Sequence, residues 1–241
     1  MVRIFKDKNE LSEAAAELFL NAALTAVQNK GRFTVALTGG SSPVLLHRLL
    51  SQEPYASKVP WDKTFVFWGD ERFVPLTDER SNAKMAFETL LNNVPVPKNQ
   101  VYPMWADGMD AETFAAKYEQ TIKDHFGKEP YEFDLILLGM GDDGHTASLF
   151  PGTEVLDEKE KIVAGYYLTP QSMYRITLTS PIINSAKQIC FLTFGANKAK
   201  ALYEVLEGER NSVQYPSQLI HATNGEVIWM VDEAAAALLK R

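Results

Sequence analysis

Several common features are scarce or missing in this sequence, and each absence removes a class of protein. Cysteine occurs once, as Cys190 within an apolar run, so no disulfide can form inside the chain and a disulfide-stapled fold is excluded. No apolar run is long enough for a membrane-spanning helix, and the first residues lack the apolar core of a secretory signal. We therefore expect a cytoplasmic protein that does not contact a membrane.

Lysine and arginine are also fewer than the acidic residues. The 241 residues include 24 Lys and Arg against 31 Asp and Glu, which gives a formal net charge of -7. This balance argues against a general nucleic-acid surface, so phosphate recognition must come from a few placed cations and backbone amides. The hydrophobic fraction of 46% is that of a globular protein with a substantial core.

Three familiar catalytic signatures do not occur. The sequence has no G-x-S-x-G nucleophile elbow, no phosphate loop ending in Gly-Lys-Ser/Thr, and no H-E-x-x-H zinc motif. Their absence disfavours serine-esterase, nucleotide-hydrolase and zinc-protease chemistry.

Short apolar segments that alternate with helical patterns indicate the fold class. The clearest strand candidates are 33–37, 64–68, 134–138, 174–179, 189–194 and 227–231. Such alternation predicts an α/β protein whose sheet is largely parallel and carries helices on both faces. No linker or internal repeat interrupts it, so we predict a single domain over residues 1–241, with a small hairpin-and-helix excursion at about 92–131.

Helix boundaries are suggested by capping residues and by the order of the predicted elements. Asn9 is a candidate N-cap for the first helix, and a helix should begin near Pro43 and another near Ser81. The last two strands should lead into helices near 196–207 and 232–240.

A glycine-serine loop follows the strand at 33–37. It contains Gly39, Gly40, Ser41 and Ser42, which allow close approach of an anion and add hydroxyl donors before a helix start. Equally, such a loop can be a plain turn with a serine cap. In open α/β sheets ligands collect beyond the carboxyl ends of the strands, which is where this loop lies.

A second glycine-rich loop carries the strongest catalytic candidate. Gly139, Gly141 and Gly144 match G-x-G-x-x-G, but Pro151 and Gly152 leave little room for the long helix of a dinucleotide site. His145 in this loop could take a proton from water, with Asp142 or Asp143 fixing its tautomer. The alternative is a hydrogen-bonded structural histidine.

Charged residues follow other strands at the same predicted edge. Asp70 could orient a sugar hydroxyl or a water, and Arg72 could bind phosphate. Arg175 and Lys198 could complete an anion site, although each could also be ordinary surface charge.

Five segments together resemble, in order, the motifs of the 6-phosphogluconolactonase family. They are LTGGSSP at 37–43, FWGDERFVP at 67–75, SN at 81–82, LGMGDDGHTASLFPG at 138–152 and RITLT at 175–179. The resemblance extends from about Phe5 to the predicted C-terminal helix. It implies a three-layer modified Rossmann-like sheet, shared with glucosamine-6-phosphate deaminases, ribose-5-phosphate isomerases and the CoA-transferase-like group.

The resemblance also implies roles for individual residues. His145, Asp143 and Asp70 would lie near the lactone, and the phosphate would be held by Gly39, Gly40, Ser41, Ser42, Arg72, Arg175 and Lys198. It leaves open whether Asp143 or Asp70 is the main partner of His145. The implied activity is hydrolysis of a phosphorylated sugar lactone in the oxidative pentose phosphate pathway, without metal or organic cofactor. We expect a small-molecule substrate, no nucleic acid, and a monomer or weak homo-oligomer.

Two other functions remain as alternatives. The related deaminase family carries Asp-Gly-His-Ile-Ala-Phe-Asn-Glu-Pro where this chain has residues 143–151, so the deaminase glutamate falls on Phe150. An apolar residue there disfavours amino-sugar chemistry. A non-catalytic sugar-phosphate sensor would keep the anion loop but would have no need of His145 in its full motif.

Overall fold

Two sheets organise the chain in the computed structural model, which describes residues 1–240. The elements in order are β1 (Val2–Phe5), α1 (Lys8–Lys30), β2 (Phe33–Leu37), α2 (Val44–Leu50), α3 (Tyr55–Lys58), β3 (Thr64–Trp68), β4 (Asp70–Arg72), α4 (Asn82–Thr89), α5 (Ala111–Phe126), β5 (Leu135–Gly139), β6 (Val163–Leu168), β7 (Met173–Leu178), α6 (Ser180–Asn184), β8 (Gln188–Thr193), α7 (Ala199–Leu206) and β9 (Glu226–Asp232). Short 3₁₀ turns connect several of them.

The larger sheet has six strands in the order β1-β9-β8-β5-β2-β3, and every neighbouring pair is parallel. All five residues of β2 are buried, as expected for a strand covered on both faces. The predicted α/β fold with a largely parallel sheet is therefore confirmed. Strand order reverses between β2 and β5, so the loops after these two strands border the crevice where such folds bind ligands.

A second, three-stranded sheet in the order β4-β7-β6 is antiparallel, and the sequence pattern did not separate it from the main sheet. The strand expected at 174–179 is present as β7, but its partners are β4 and β6. Only Gly69 separates β3 from β4, so the chain passes directly from the large sheet to the small one. The backbone N–H of Leu178 donates to the carbonyl of Gly69 at 2.8 Å and ties the two sheets together.

Two expected helix boundaries differ from the structure. Asp7, rather than Asn9, caps α1, because its carboxylate accepts hydrogen bonds from the N–H groups of Asn9 and Glu10. Residues 233–238 form turns, where a helix was expected near 232–240. The carboxylate of Asp232 accepts hydrogen bonds from the N–H groups of Gly195 and Ala235, which fixes the chain at its exit from β9.

The segment at 92–131 contains α5 and short 3₁₀ turns, and within residues 1–240 it forms no hairpin. Its helix packs against β6, where a Cβ on Gly165 would lie 2.3 Å from the carbonyl oxygen of Ala111. Across the part of the chain that the structure describes, no helix has the length and apolar character needed to cross a bilayer.

Candidate active site

A cleft of about 240 Å³ opens at the carboxyl ends of β2 and β5. It brings together nine of the ten residues to which the family resemblance assigns a role. These are Gly39, Gly40, Ser41, Ser42, Asp70, Arg72, His145, Arg175 and Lys198. The tenth, Asp143, contacts His145 directly. The loops after the two strands meet here because the strand order reverses between them.

The glycine-serine loop after β2 forms one wall of the cleft. Gly40 has a φ of 73°, a left-handed backbone conformation that favours glycine. Gly39 needs the absence of a side chain for a different reason, since a Cβ there would lie 1.9 Å from Oδ1 of Asn82. The loop therefore exposes backbone and hydroxyl groups at a place where a side chain would block them.

His145 also lines the cleft and is paired with Asp143. The carboxylate Oδ1 of Asp143 is 2.6 Å from Nδ1 of His145 and also accepts the His145 backbone N–H at 3.0 Å. Burial opposes ionisation of Asp143, but the hydrogen bonds and charge attraction from His145 outweigh it and lower the pKa of the carboxyl. An ionised Asp143 holds a proton on Nδ1 and leaves Nε2 as the basic nitrogen.

The geometry thus identifies the carboxylate partner of the histidine. Asp143 contacts the imidazole of His145, whereas Asp142 is exposed and Asp70 accepts a hydrogen bond from Ser148. The imidazole ring is also stacked on Phe150, with 4.0 Å between ring centroids and 23° between planes. An aspartate on one side and an aromatic face on the other restrict the rotation of the His145 ring.

Asp70 is 6% exposed and belongs to a separate polar network. Its Oδ2 accepts a hydrogen bond from the hydroxyl of Ser148 at 2.7 Å. The Asn82 amide donates to the Asp70 carbonyl oxygen at 2.9 Å and to its Oδ1 at 3.4 Å. The hydrogen bonds to Asp70 therefore come from two uncharged side chains, those of Ser148 and Asn82.

The three cations of the site have different surroundings. Arg72 donates to the carbonyl of Arg80 at 2.8 Å. Arg175 is 3% exposed, with Nη1 at 3.7 Å from Oδ2 of Asp70 and its guanidinium carbon 5.4 Å from the Phe150 ring centroid. Lys198 follows β8 in a 3₁₀ turn and, within residues 1–240, takes part in no ion pair. Lys198 is therefore the cation most available to an incoming anion.

Three residues that line the cleft or contact its side chains were not given roles from the sequence. Asn82 belongs to one of the quoted family motifs and Ser148 to another, so these motifs could have identified both residues. Gln171 lines the cleft and bonds to Arg175, and only the β6–β7 hairpin brings it there. No sequence pattern marks that position.

Within residues 1–240, no group of three or more His, Cys, Asp or Glu side chains is arranged to hold a metal ion.

Residues 6–229 match the sequence profile of the family described as glucosamine-6-phosphate isomerases/6-phosphogluconolactonase. The chain belongs to this family. A 6-phosphogluconolactonase of a Nostoc species is 39% identical over 241 residues, covering 99% of this chain and 98% of that protein. A relative from Arabidopsis thaliana named probable 6-phosphogluconolactonase 5 is also 39% identical, over 251 residues that cover 98% of this chain and 97% of that protein. The family resemblance inferred from the motifs is confirmed.

Solved structures agree with this family assignment. The 6-phosphogluconolactonase from Trypanosoma cruzi superposes with a TM-score of 0.87 at 27% identity, covering 100% of this chain and 97% of that one. A monomeric glucosamine-6-phosphate deaminase superposes with a TM-score of 0.83 at 22% identity, covering 98% of this chain and 99% of that one, which shows a shared fold. The family description itself names two activities, so the fold alone does not separate them.

Proposed function

We propose that this chain hydrolyses 6-phospho-D-glucono-1,5-lactone to 6-phosphogluconate, the lactone-opening step of the oxidative pentose phosphate pathway. The observation that carries the proposal is the Asp143–His145 pair, whose histidine lines the same cleft as the glycine-serine loop. Full-length relatives named 6-phosphogluconolactonase support it. A cytoplasmic location, a single domain, and a monomeric or weakly associating chain belong to the same proposal and rest on the sequence.

In this mechanism His145 acts first as a general base. Nε2 takes a proton from water as the water oxygen attacks the lactone carbonyl, while Asp143 stabilises the resulting imidazolium. The tetrahedral intermediate then collapses, the bond from carbonyl carbon to ring oxygen breaks, and the imidazolium returns its proton to that oxygen. Backbone N–H groups of the glycine loops are the candidate donors to the oxyanion.

The phosphate end of the substrate would lie against the glycine-serine loop. Arg72 and Lys198 supply positive charge at the cleft, and the overall charge of -7 makes such local cations necessary. Arg175 has a double role in this arrangement, because its guanidinium lies 3.7 Å from the carboxylate of Asp70. It compensates the charge of Asp70 while adding to the positive potential felt by the phosphate.

The two alternative functions fit the cleft less well. A deaminase of this family would carry a carboxylate at position 150, whereas Phe150 is 7% exposed and stacked on His145. A sugar-phosphate sensor would have no use for the Asp143–His145 pair, whose geometry polarises one imidazole nitrogen for proton transfer.

Two parallel activity assays and a binding measurement with 6-phosphogluconate separate the three functions. Purified protein is added to freshly generated 6-phosphogluconolactone, and acid release is followed after subtraction of spontaneous hydrolysis. Ammonia release from glucosamine 6-phosphate is measured in parallel. We expect acceleration of the first reaction and none of the second; binding without either reaction would indicate a sensor and overturn the proposal.

The matched variants are His145→Ala and His221→Ala. General acid–base catalysis contributes roughly 10²–10⁴-fold, so His145→Ala should lose most activity while still binding 6-phosphogluconate. His221 is exposed and lies outside the cleft, so its variant should retain the wild-type rate. Full activity in folded His145→Ala would exclude the general-base role.

A further inference from the structure

Glu71 is a buried carboxylate in the middle of β4, between two residues of the cleft. It is 0% exposed, while its neighbours Asp70 and Arg72 both line the cleft. Successive side chains of a strand point to opposite faces, so Glu71 points away from the substrate. Any contribution of Glu71 to the cleft must therefore come through the groups that hydrogen-bond to its carboxylate.

Four hydrogen-bond donors converge on this carboxylate. Oε1 accepts the backbone N–H groups of Asn82 at 2.7 Å and Arg72 at 2.8 Å. Oε2 accepts the N–H of Ala83 at 2.8 Å and the hydroxyl of Ser81 at 3.0 Å. Only a carboxylate can accept this many bonds without presenting a donor of its own.

These bonds fix the first turn of α4 against β4. Ser81 is the N-cap of this helix, and Asn82 and Ala83 are its first two residues. Glu71 therefore satisfies N–H groups that a helix start leaves free and anchors the helix to the strand that bears Asp70. The strand and the helix start cannot shift independently while the carboxylate is in place.

The anchored residue that matters for the cleft is Asn82. Its Nδ2 donates to the carbonyl and the carboxylate of Asp70, and its Oδ1 fills the space where Gly39 lacks a side chain. Asn82 thus connects the carboxylate beside the reacting end of the cleft to the loop beside the phosphate. A small rotation of the start of α4 would move both contacts.

The structure keeps Glu71 buried at a cost. Burial raises its pKa to about 7, and the charge of Asp70 adds to the increase, while the bonds from Asn82, Ala83 and Ser81 oppose it. No cation pairs with Glu71 among residues 1–240. A hydrophobic residue would avoid this cost but would leave the four donors without an acceptor, so the carboxylate is kept for the bonds that it makes to the start of α4.

We propose that Glu71 is a positioning residue, which sets the placement of Asp70 and Asn82 for lactone hydrolysis without touching the substrate. This inference rests on the proposed function.

The main test is Glu71→Gln, which keeps the size of the side chain. The amide has one acceptor oxygen and an NH₂ group, so at least one backbone N–H of the first turn loses its acceptor. We expect kcat to fall about 10- to 100-fold, because displacements near 1 Å have effects of this size, while KM stays within about threefold. Ser81→Ala removes one of the four donors and should lower kcat in the same direction but by less. This variant tests the inference even if Glu71→Gln does not fold.

A double-mutant cycle tests whether Glu71 acts through Asn82. Asn82→Ala should lower kcat, and adding Glu71→Gln to it should have little further effect, since the contact being positioned is already lost. Additive losses would show that Glu71 acts by another route and would overturn the inference.

Asp134→Asn is the matched control. Asp134 is also a buried carboxylate that accepts a backbone N–H, from Thr34 at 2.8 Å, and it pairs with Lys30 at 3.0 Å. It precedes β5 and so lies at the end of the sheet away from the cleft. This variant should lose stability and keep its kcat.

The outcomes distinguish this inference from the proposed function. If the wild type does not accelerate lactone hydrolysis, the proposed function fails and the positioning role fails with it. If the wild type is active and folded Glu71→Gln has the same kcat, only the role of Glu71 is refuted. An equal loss of kcat in Asp134→Asn would likewise refute it, because general destabilisation would then explain both.

Discussion

Replacing Gly141 by alanine should disable the Asp143–His145 pair while leaving the fold intact. Gly141 is not among the glycines with positive φ, so alanine can adopt its backbone conformation. The obstacle is space alone. A Cβ at this position would lie 2.1 Å from Nδ1 of His145 and 2.4 Å from Oδ1 of Asp143.

The size of the effect can be worked out from these distances. Real Cβ atoms essentially never approach another atom closer than 3.0 Å, so the imidazole would have to retreat by about 0.9 Å from a separation of 2.1 Å. The retreat would break the 2.6 Å contact with Asp143 or the 4.0 Å stack on Phe150. A misplacement of this size costs about 100-fold in rate, which corresponds to about 2.7 kcal/mol of transition-state stabilisation.

The measurement is kcat for lactone hydrolysis together with the thermal unfolding midpoint. We expect a loss of about 100-fold in kcat with a nearly unchanged midpoint. Gly69→Ala is the control, because a Cβ there meets its nearest atom, the Leu37 carbonyl oxygen, at an ordinary 3.6 Å. Wild-type kcat in folded Gly141→Ala would show that the observed Asp143–His145 arrangement is not the one used in the reaction.

Lys198→Ala should raise KM with little change in kcat, since a remote phosphate contact persists from ground state to transition state; a loss confined to kcat would contradict this. Arg175→Ala should change both parameters, because its guanidinium lies 3.7 Å from the Asp70 carboxylate. Phe150→Glu should lower lactonase activity by removing the stack on His145, without creating a deaminase; efficient ammonia release from glucosamine 6-phosphate would refute that expectation. Burial lowers the pKa of His47 to about 3 from 6.5, so protons bind more readily to the unfolded chain. The unfolding free energy measured in urea should therefore fall as the pH drops below about 6.5, and His47→Gln should weaken this dependence; equal slopes would refute the assignment.

The fold class and most of the site can be predicted from the amino-acid sequence. Apolar segments of strand length, each followed by a loop, are enough to predict parallel strands covered by helices, because strands buried on both faces must be apolar throughout. Ligand residues after such strands gather at one sheet edge. For this reason Gly39, Asp70 and His145 could be expected together although more than 100 positions separate the first from the last.

The pairing of those residues depends on the tertiary structure. The choice between Asp143 and Asp70 as partner of His145 is made by loop geometry, which places Asp143 at 2.6 Å and turns Asp70 toward Ser148. The β6–β7 hairpin, which delivers Gln171 and Arg175, folds into its own antiparallel sheet through long-range pairing with β4. The four hydrogen bonds to Glu71 could not be predicted from the sequence, because three of the donors belong to residues 81–83, ten or more positions away. Local patterns record how a segment is buried, whereas contacts between distant segments depend on the packing of the whole chain.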